Sequence, residues 1–376
     1  MRNVKIIVCA VSLAVLWGLV NHADESKSAD NPKVQIALLL DTSNSMDGLI
    51  NQAKSQLWEI VNDFATAKQN GKTPDLEVAL YHYGNSSLSK ESNYIEQLTP
   101  FTDNLDLVSE KLFALKTNGG LEYCGAVIQR AVQDLKWSER PDDLRLIFIA
   151  GNEPFTQGPL SYADACKEAV EMYIVINTIH CGDEQTGIAT KWKDGALLTD
   201  GKYLVINQNE AVVSITAPQD KRLAELNSAL NATYIPYGRL GLAEQANQAA
   251  QDSNSAGTRM LAARVATKAS GFYRNSGWDL VDASKEQEFD LAKIEKSELP
   301  ENMQKMTLAE QKSYIAQQSE QRKKIQEEIA GLSKERDAFI TAEMKKQSLG
   351  KEQSLGNVMR SSIRAQAAAK SFQYSK

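Results

Sequence analysis

The stretch Leu38-Leu39-Leu40-Asp41-Thr42-Ser43-Asn44-Ser45-Met46 decides how this chain is read. It opens as the end of an almost continuous apolar run, Val34 to Leu40, of the kind that forms a strand buried on both faces. It then breaks into a carboxylate and two hydroxyls spaced two residues apart, and from Ile50 to Ala67 the residues Leu57, Ile60, Val61 and Phe64 recur at helical spacing. A strand, a polar turn and a helix in that order put Asp41, Ser43 and Ser45 at the carboxyl end of a sheet, where open α/β folds bind ligands.

Outward from this turn the alternation continues. Leu76–Tyr83 reads as a second strand ended by Gly84-Asn85. Leu105–Leu115 and Gly125–Leu135 read as helices flanking the loop Lys116-Thr117-Asn118-Gly119-Gly120. Leu144–Ala150 is a further buried strand stopped by Gly151-Asn152-Glu153-Pro154. It is followed by a helix at Tyr162–Met172 and strands at Tyr173–Ile179 and Tyr203–Ile206. Strands alternating with helices predict an α/β fold: a doubly wound, Rossmann-like domain with a mostly parallel central sheet, its short loops gathered at one end.

A carboxylate and two hydroxyls turned toward one point suit a small hard cation, Mg²⁺ or alternatively Mn²⁺ or Ca²⁺. The same three side chains can instead cap the following helix and bond the neighbouring loops. Residues 38–46 resemble the metal-ion-dependent adhesion site of von Willebrand factor A (VWA) domains, and the order of elements from Lys33 to Tyr237 extends the resemblance over a little more than half of the chain. The resemblance implies that Ser43 and Ser45 ligate a divalent ion directly and that Asp41 acts mainly through water. An open coordination position would then receive an acidic side chain of a partner protein. Two loops depart from the family pattern. Leu121-Glu122 stands after Gly119-Gly120, where a threonine ligand is usual, and Asn152 and Glu153 stand where an aspartate is usual. Thr117, Glu122, Asn152 and Glu153 are the candidate substitutes.

The expected organisation is a leader at residues 1–23, the VWA domain at 32–240, a helical extension packing on it at 241–283, a long amphipathic helix or helical hairpin at 284–346, and a disordered tail at 347–376. The leader reading rests on Arg2 and Lys5 ahead of the uncharged run Ile6–Val20, with cleavage near Ala23 or Ala29. That run is shorter than the ~18 apolar residues of a spanning helix, so membrane attachment follows only if it stays uncleaved. Export to a periplasm, cell surface or medium is therefore expected. The long helix carries Ile325, Ile329, Leu332 and Phe339 at a spacing compatible with a coiled coil and self-association, although Arg322 and Arg336 fall on the same seam.

Export makes thiol pairing chemically available. Cys166 and Cys181 are the expected disulfide, Cys124 is left as a free thiol, and a zinc site with His180 is the rival reading. The net charge of −6 gives no electrostatic reason to expect nucleic acid. No nucleophile elbow, zinc-protease motif or phosphate loop is present, so the expectation is a protein-binding module and not an enzyme. The alternatives are a metal-independent envelope scaffold acting through the C-terminal helix and, less favoured, a thiol-dependent enzyme using Cys124.

Overall fold

The structure, a computed structural model, describes residues 31–64, 67–207, 215–347 and 355–374. The expected leader at 1–23 lies outside them. Along the chain the strands are β1 (Lys33–Asp41), β2 (Ala67–Gln69), β3 (Asp75–Tyr83), β4 (Ile95–Thr102), β5 (Leu144–Gly151), β6 (Val175–Cys181), β7 (Tyr203–Ile206) and β8 (Phe372–Tyr374). The helices of the first half are α1 (Asp47–Phe64), α2 (Leu105–Ala114), α3 (Cys124–Asp134), α4 (Tyr162–Glu171), α5 (Glu184–Ala189) and α6 (Trp192–Leu197). Those of the second half are α7 (Asp220–Asn231), α8 (Gly241–Asn254), α9 (Thr258–Ala269), α10 (Leu280–Ala283), α11 (Glu301–Gln304), α12 (Leu308–Lys346) and α13 (Leu355–Ala369).

Six strands form one sheet in the order β4-β3-β1-β5-β6-β7, parallel throughout except for β4, which runs antiparallel to β3 at the edge. Its residue Pro100 fits that place, since a proline has no N–H to give to a ladder and is confined to edges. The period of two along β1 sorts the core. Ile36, Leu38 and Leu40 point into a cluster with α1, α2 and α13, whereas Ala37 and Leu39 point to the opposite face, against α3, α4 and Trp192 of α6. Asp41 ends the central strand at the carboxyl edge, between the ends of β3 and β5.

The C-terminal third is built onto this sheet. Helix α12 opens with a capping box, Thr307 and Glu310 bonding each other's backbone N–H, and runs as one helix of 39 residues with no hairpin turn. Its apolar residues Ile325, Ile329 and Leu332 join Leu226, Leu230 and Val265 of α7 and α9, so three of the four seam residues pack within the chain. The two arginines that interrupt the heptads carry the docking. Arg322, 2% exposed, bonds Asp279, Asp282 and Thr233 and lies over the Tyr234 ring at 4.0 Å, and Arg336 pairs with Asp220 at 2.6 Å.

Of the expected disordered tail at 347–376, residues 348–354 and 375–376 lie outside the described residues, and the stretch 355–374 is a correction to that expectation. Residues 355–369 form α13, whose Leu355, Met359, Ile363 and Ala367 are buried against α1, and β8 pairs antiparallel with β2. Arg364 holds Asp63 of α1 through two bonds of 2.6 and 2.8 Å. The polar Gln-Ser-Leu-Gly repeats that mark this segment hide an apolar face at helical spacing, and the first sheet layer supplies the surface that covers it. Among the described residues no helix is long and apolar enough to cross a membrane.

Candidate functional site

Three chain crossings meet at the carboxyl edge: the turn after β1, the loop before α3 and the loop after β5. In the first, Thr42 is locked down by its N–H to Tyr83 O at 2.9 Å and by its carbonyl accepting from Asn118 N at 2.9 Å. Its hydroxyl meets His82 Nδ1 at 3.0 Å, and His82 Nε2 meets Glu96 at 2.9 Å. With Thr42 turned inward, Asp41 and Ser43 project to the other side. Asp41 Oδ1 accepts from Ser43 N at 2.7 Å, and Ser43 Oγ lies 3.3 Å from Ser45 Oγ.

From the second crossing, Glu122 enters beside them. Its backbone N–H donates to the Gln157 side chain, which turns the residue inward and leaves Leu121 outside, 44% exposed. The Glu122 carboxyl lies beside that of Asp41, both side chains flanking Gly84. Burial pushes the Asp41 carboxyl well above the usual carboxylate range, and the Glu122 charge adds to it; burial likewise pushes Glu122 up. Two carboxyls in contact at 0% and 4% exposure repel each other as anions. Such a pair is held together by a shared proton or by a cation.

The third crossing brings Asn152, whose Nδ2 donates to Ser45 Oγ at 3.2 Å. Asp41 Oδ2, Glu122 Oε2 and Asn152 Oδ1 are all buried without a hydrogen-bond partner. Unpaired buried oxygens are costly, and three at one place mark a site for a positively charged or donating group. Space is kept for it by glycine. A Cβ on Gly84, whose φ is +74°, would stand 2.7 Å from Glu122 Cγ and 2.8 Å from Asp41 Oδ1, and one on Gly151 would stand 3.2 Å from Asp41 Oδ2.

Of the expected ligands, Asp41, Ser43, Ser45, Glu122 and Asn152 come together. Thr117 does not: its hydroxyl bonds Asp47 at the start of α1. The Glu153 carbonyl accepts from Trp192 Nε1 at 2.8 Å. No group of three or more His, Cys, Asp or Glu side chains suited to a metal occurs among the described residues; the cluster here consists of two carboxyls, two hydroxyls and an amide.

The expected Cys166–Cys181 disulfide is absent, and all three described cysteines are free and buried. Cys166 belongs to the core on the α3–α4 face and Cys181 to the core on the α1 face, so the sheet itself separates them. The parity of β6 gives the reason: Cys181 continues the side-chain row of Ile179, opposite to that of Ile176. Cys124 lies beneath the site, 3.8 Å from the Tyr83 hydroxyl, and burial pushes its thiol well above its ordinary value, the reverse of an activated nucleophile.

The strand order, the edge strand and the Asp41–Ser45 turn after the central strand together make this a VWA-like fold. No family model matches the chain, and neither does any curated protein sequence. Among solved structures it is similar to BatB, a conserved hypothetical protein of Bacteroides thetaiotaomicron, at 15% identity over 46% of this chain and 90% of that one, with a TM-score of 0.35. It is similar to the VWA domain of SpRpn10 at 18% identity over 49% of this chain and 100% of that one, TM-score 0.34. A third likeness is to an aerotolerance-related membrane protein of Bacteroides fragilis, at 16% identity over 47% of this chain and 93% of that one, TM-score 0.31.

Proposed function

We propose that the carboxyl edge of the sheet holds a divalent cation and that the protein is an exported binding module which grips a partner protein through it. The observation that carries this reading is the Asp41–Glu122 contact, two buried carboxyls with an unpartnered oxygen on each. Asp41, Ser43, Ser45 and Glu122 would hold the ion, with Asn152 at the rim. An all-oxygen set with two carboxylates fits Mg²⁺, Mn²⁺ or Ca²⁺ better than a softer metal. When bound, the ion supplies a Lewis-acidic position for an oxygen of the partner, an acidic side chain being the strongest candidate.

The chain's own residues prepare that position. The Asp41–Ser43 bond fixes the turn, Gln157 fixes Glu122, and Gly84 and Gly151 keep the space clear. Export rests on the basic and apolar pattern of the first twenty residues. Calorimetric titration of native protein and Asp41→Ala with Mg²⁺ tests the ion, with heat of binding expected in the first and lost in the second. Selection of displayed peptides in Mg²⁺ with elution by chelator then tests the partner, and acidic sequences are expected. Equal heats in both proteins, or selected peptides without an acidic residue, would overturn the corresponding half of the reading.

A further inference from the structure

The helical layer far from the β1 turn in sequence contains a second set of reactive groups. Lys268 of α9 is completely buried, yet it carries an amine. Its Nζ donates to Asn227 Oδ1 of α7 at 2.8 Å, to Asn231 Oδ1, and to both oxygens of Asp252 of α8 at 3.0 and 3.2 Å. Asp252 Oδ2 accepts in turn from Asn227 Nδ2 at 2.9 Å and Asn231 Nδ2 at 2.7 Å, while Asp252 Oδ1 accepts from Arg264 Nε. An amine, a primary carboxamide and a carboxylate touching both nitrogens are thus enclosed together. Leu223, Leu226, Leu230, Val265 and Tyr273 form the apolar core of the same helices.

The geometry points to an intramolecular isopeptide bond between Lys268 and Asn227, formed by the protein on itself. The Nζ–Cγ bond forms and the Cγ–Nδ2 bond breaks. In two successive transfers Asp252 takes a proton from the attacking Nζ and delivers it to the departing Nδ2, both of which it already contacts, so Lys268 gives up two protons and the amide nitrogen gains two. An ammonium enters as the lysine side chain and one leaves as free ammonium, so charge and atoms balance and no oxidant or cofactor is needed. The arrangement meets the geometric condition for general acid–base transfer, with heavy atoms near 3 Å on both sides of the relay.

Two features favour the reaction over an inert ion pair. Burial pushes the Lys268 amine down to about 8, although Asp252 partly holds it up, so the nucleophilic form is accessible near neutral pH. Burial also raises Asp252, but Lys268 and Arg264 outweigh it and hold the carboxyl at about 2, in the form that accepts the relayed proton. The product removes the charge of a fully buried lysine and leaves Arg264 as the partner of Asp252. Asn227 is chosen over Asn231 because it is the more deeply buried, 7% exposed, which excludes the water that would hydrolyse the intermediate. The bond would staple α7 to α9 across the helical layer that receives α12.

Peptide mapping of the full-length protein tests this. Trypsin should yield Leu223–Arg239 joined to Val265–Arg274, with cleavage at Lys268 blocked and the mass of one ammonia missing from the sum. Fragmentation should place the join on Asn227. Asp252→Asn should return both peptides unjoined, with cleavage restored at Lys268. Free Leu223–Arg239 and cleavage after Lys268 in native protein aged at pH 8, or a join at Asn231, would overturn the proposal, and the native protein alone decides this even if the variant fails to fold.

Discussion

Arg322→Met removes the clamp that seats the long helix and leaves a volume of apolar side chain in its place. The guanidinium makes five bonds: Nη1 to Asp279 at 2.7 Å and Asp282 at 3.1 Å, Nη2 to Asp279 at 3.2 Å and Thr233 O at 2.8 Å, and Nε to Thr233 Oγ1 at 3.0 Å. Asp279, fully buried, keeps only the backbone N–H groups of Ile235 and Asp282 at 2.7 and 3.0 Å. Removing one partner of such a pair costs about 3–5 kcal/mol, because the other is left as an uncompensated buried charge. Urea unfolding at neutral pH should show that loss with an unchanged slope.

The sign of its pH dependence follows from Asp279. Burial already pushes this carboxyl up despite Arg322, and without the arginine it rises further. A carboxyl whose folded value lies above its unfolded one lowers stability above that range and ceases to do so once protonated. The deficit of Arg322→Met should therefore shrink as pH falls toward and below the ordinary aspartate value. The double variant with Asp279→Asn should lose less than the two single losses added. A loss under about 1 kcal/mol at neutral pH, or a deficit that grows in acid, would refute the assignment of Arg322 as a buried clamp.

Ile363→Ala, at a fully buried position of α13, should cost about 2–5 kcal/mol in the same assay, and no change would mean that the C-terminal segment does not dock on α1. Gly84→Ala introduces a Cβ against Asp41 and Glu122 at a positive φ; it should lose roughly 1–3 kcal/mol and weaken Mn²⁺ binding, and a variant that binds Mn²⁺ as the native protein does would contradict the placement of the site. Alkylation in denaturant without reductant should label Cys124, Cys166 and Cys181, all three resisting label in the native state; a peptide joining Cys166 to Cys181 would contradict the assignment of these thiols to opposite faces of the sheet.

The sheet was legible in the sequence because buried parallel strands are written as short apolar runs, and Leu38–Met46 gave the turn from the central strand to the first helix. Edge strand β4 was not, since in Ile95–Thr102 the apolar Ile95, Leu98 and Phe101 recur every third residue instead of every second, and Pro100 interrupts the run. The fate of Cys166 and Cys181 was missed because proximity along the topology does not state which face of a strand a side chain takes. That depends on a parity fixed by register. Glu122 was one of four candidate substitutes, and only the Gln157 bond and the outward turn of Leu121 distinguish it from Thr117. Arg322 and Arg336 looked like faults in a coiled-coil seam; their partners Asp279, Asp282 and Asp220 lie far away in the chain, where no local pattern connects them.

Crystals of the protein soaked in Mn²⁺ and measured at the manganese edge test the central claim most directly. A single anomalous peak bounded by the side-chain oxygens of Asp41, Ser43, Ser45 and Glu122 is the predicted result. A native crystal with no peak there, or with the ion bound elsewhere while Asp41 and Glu122 remain in contact, would contradict it.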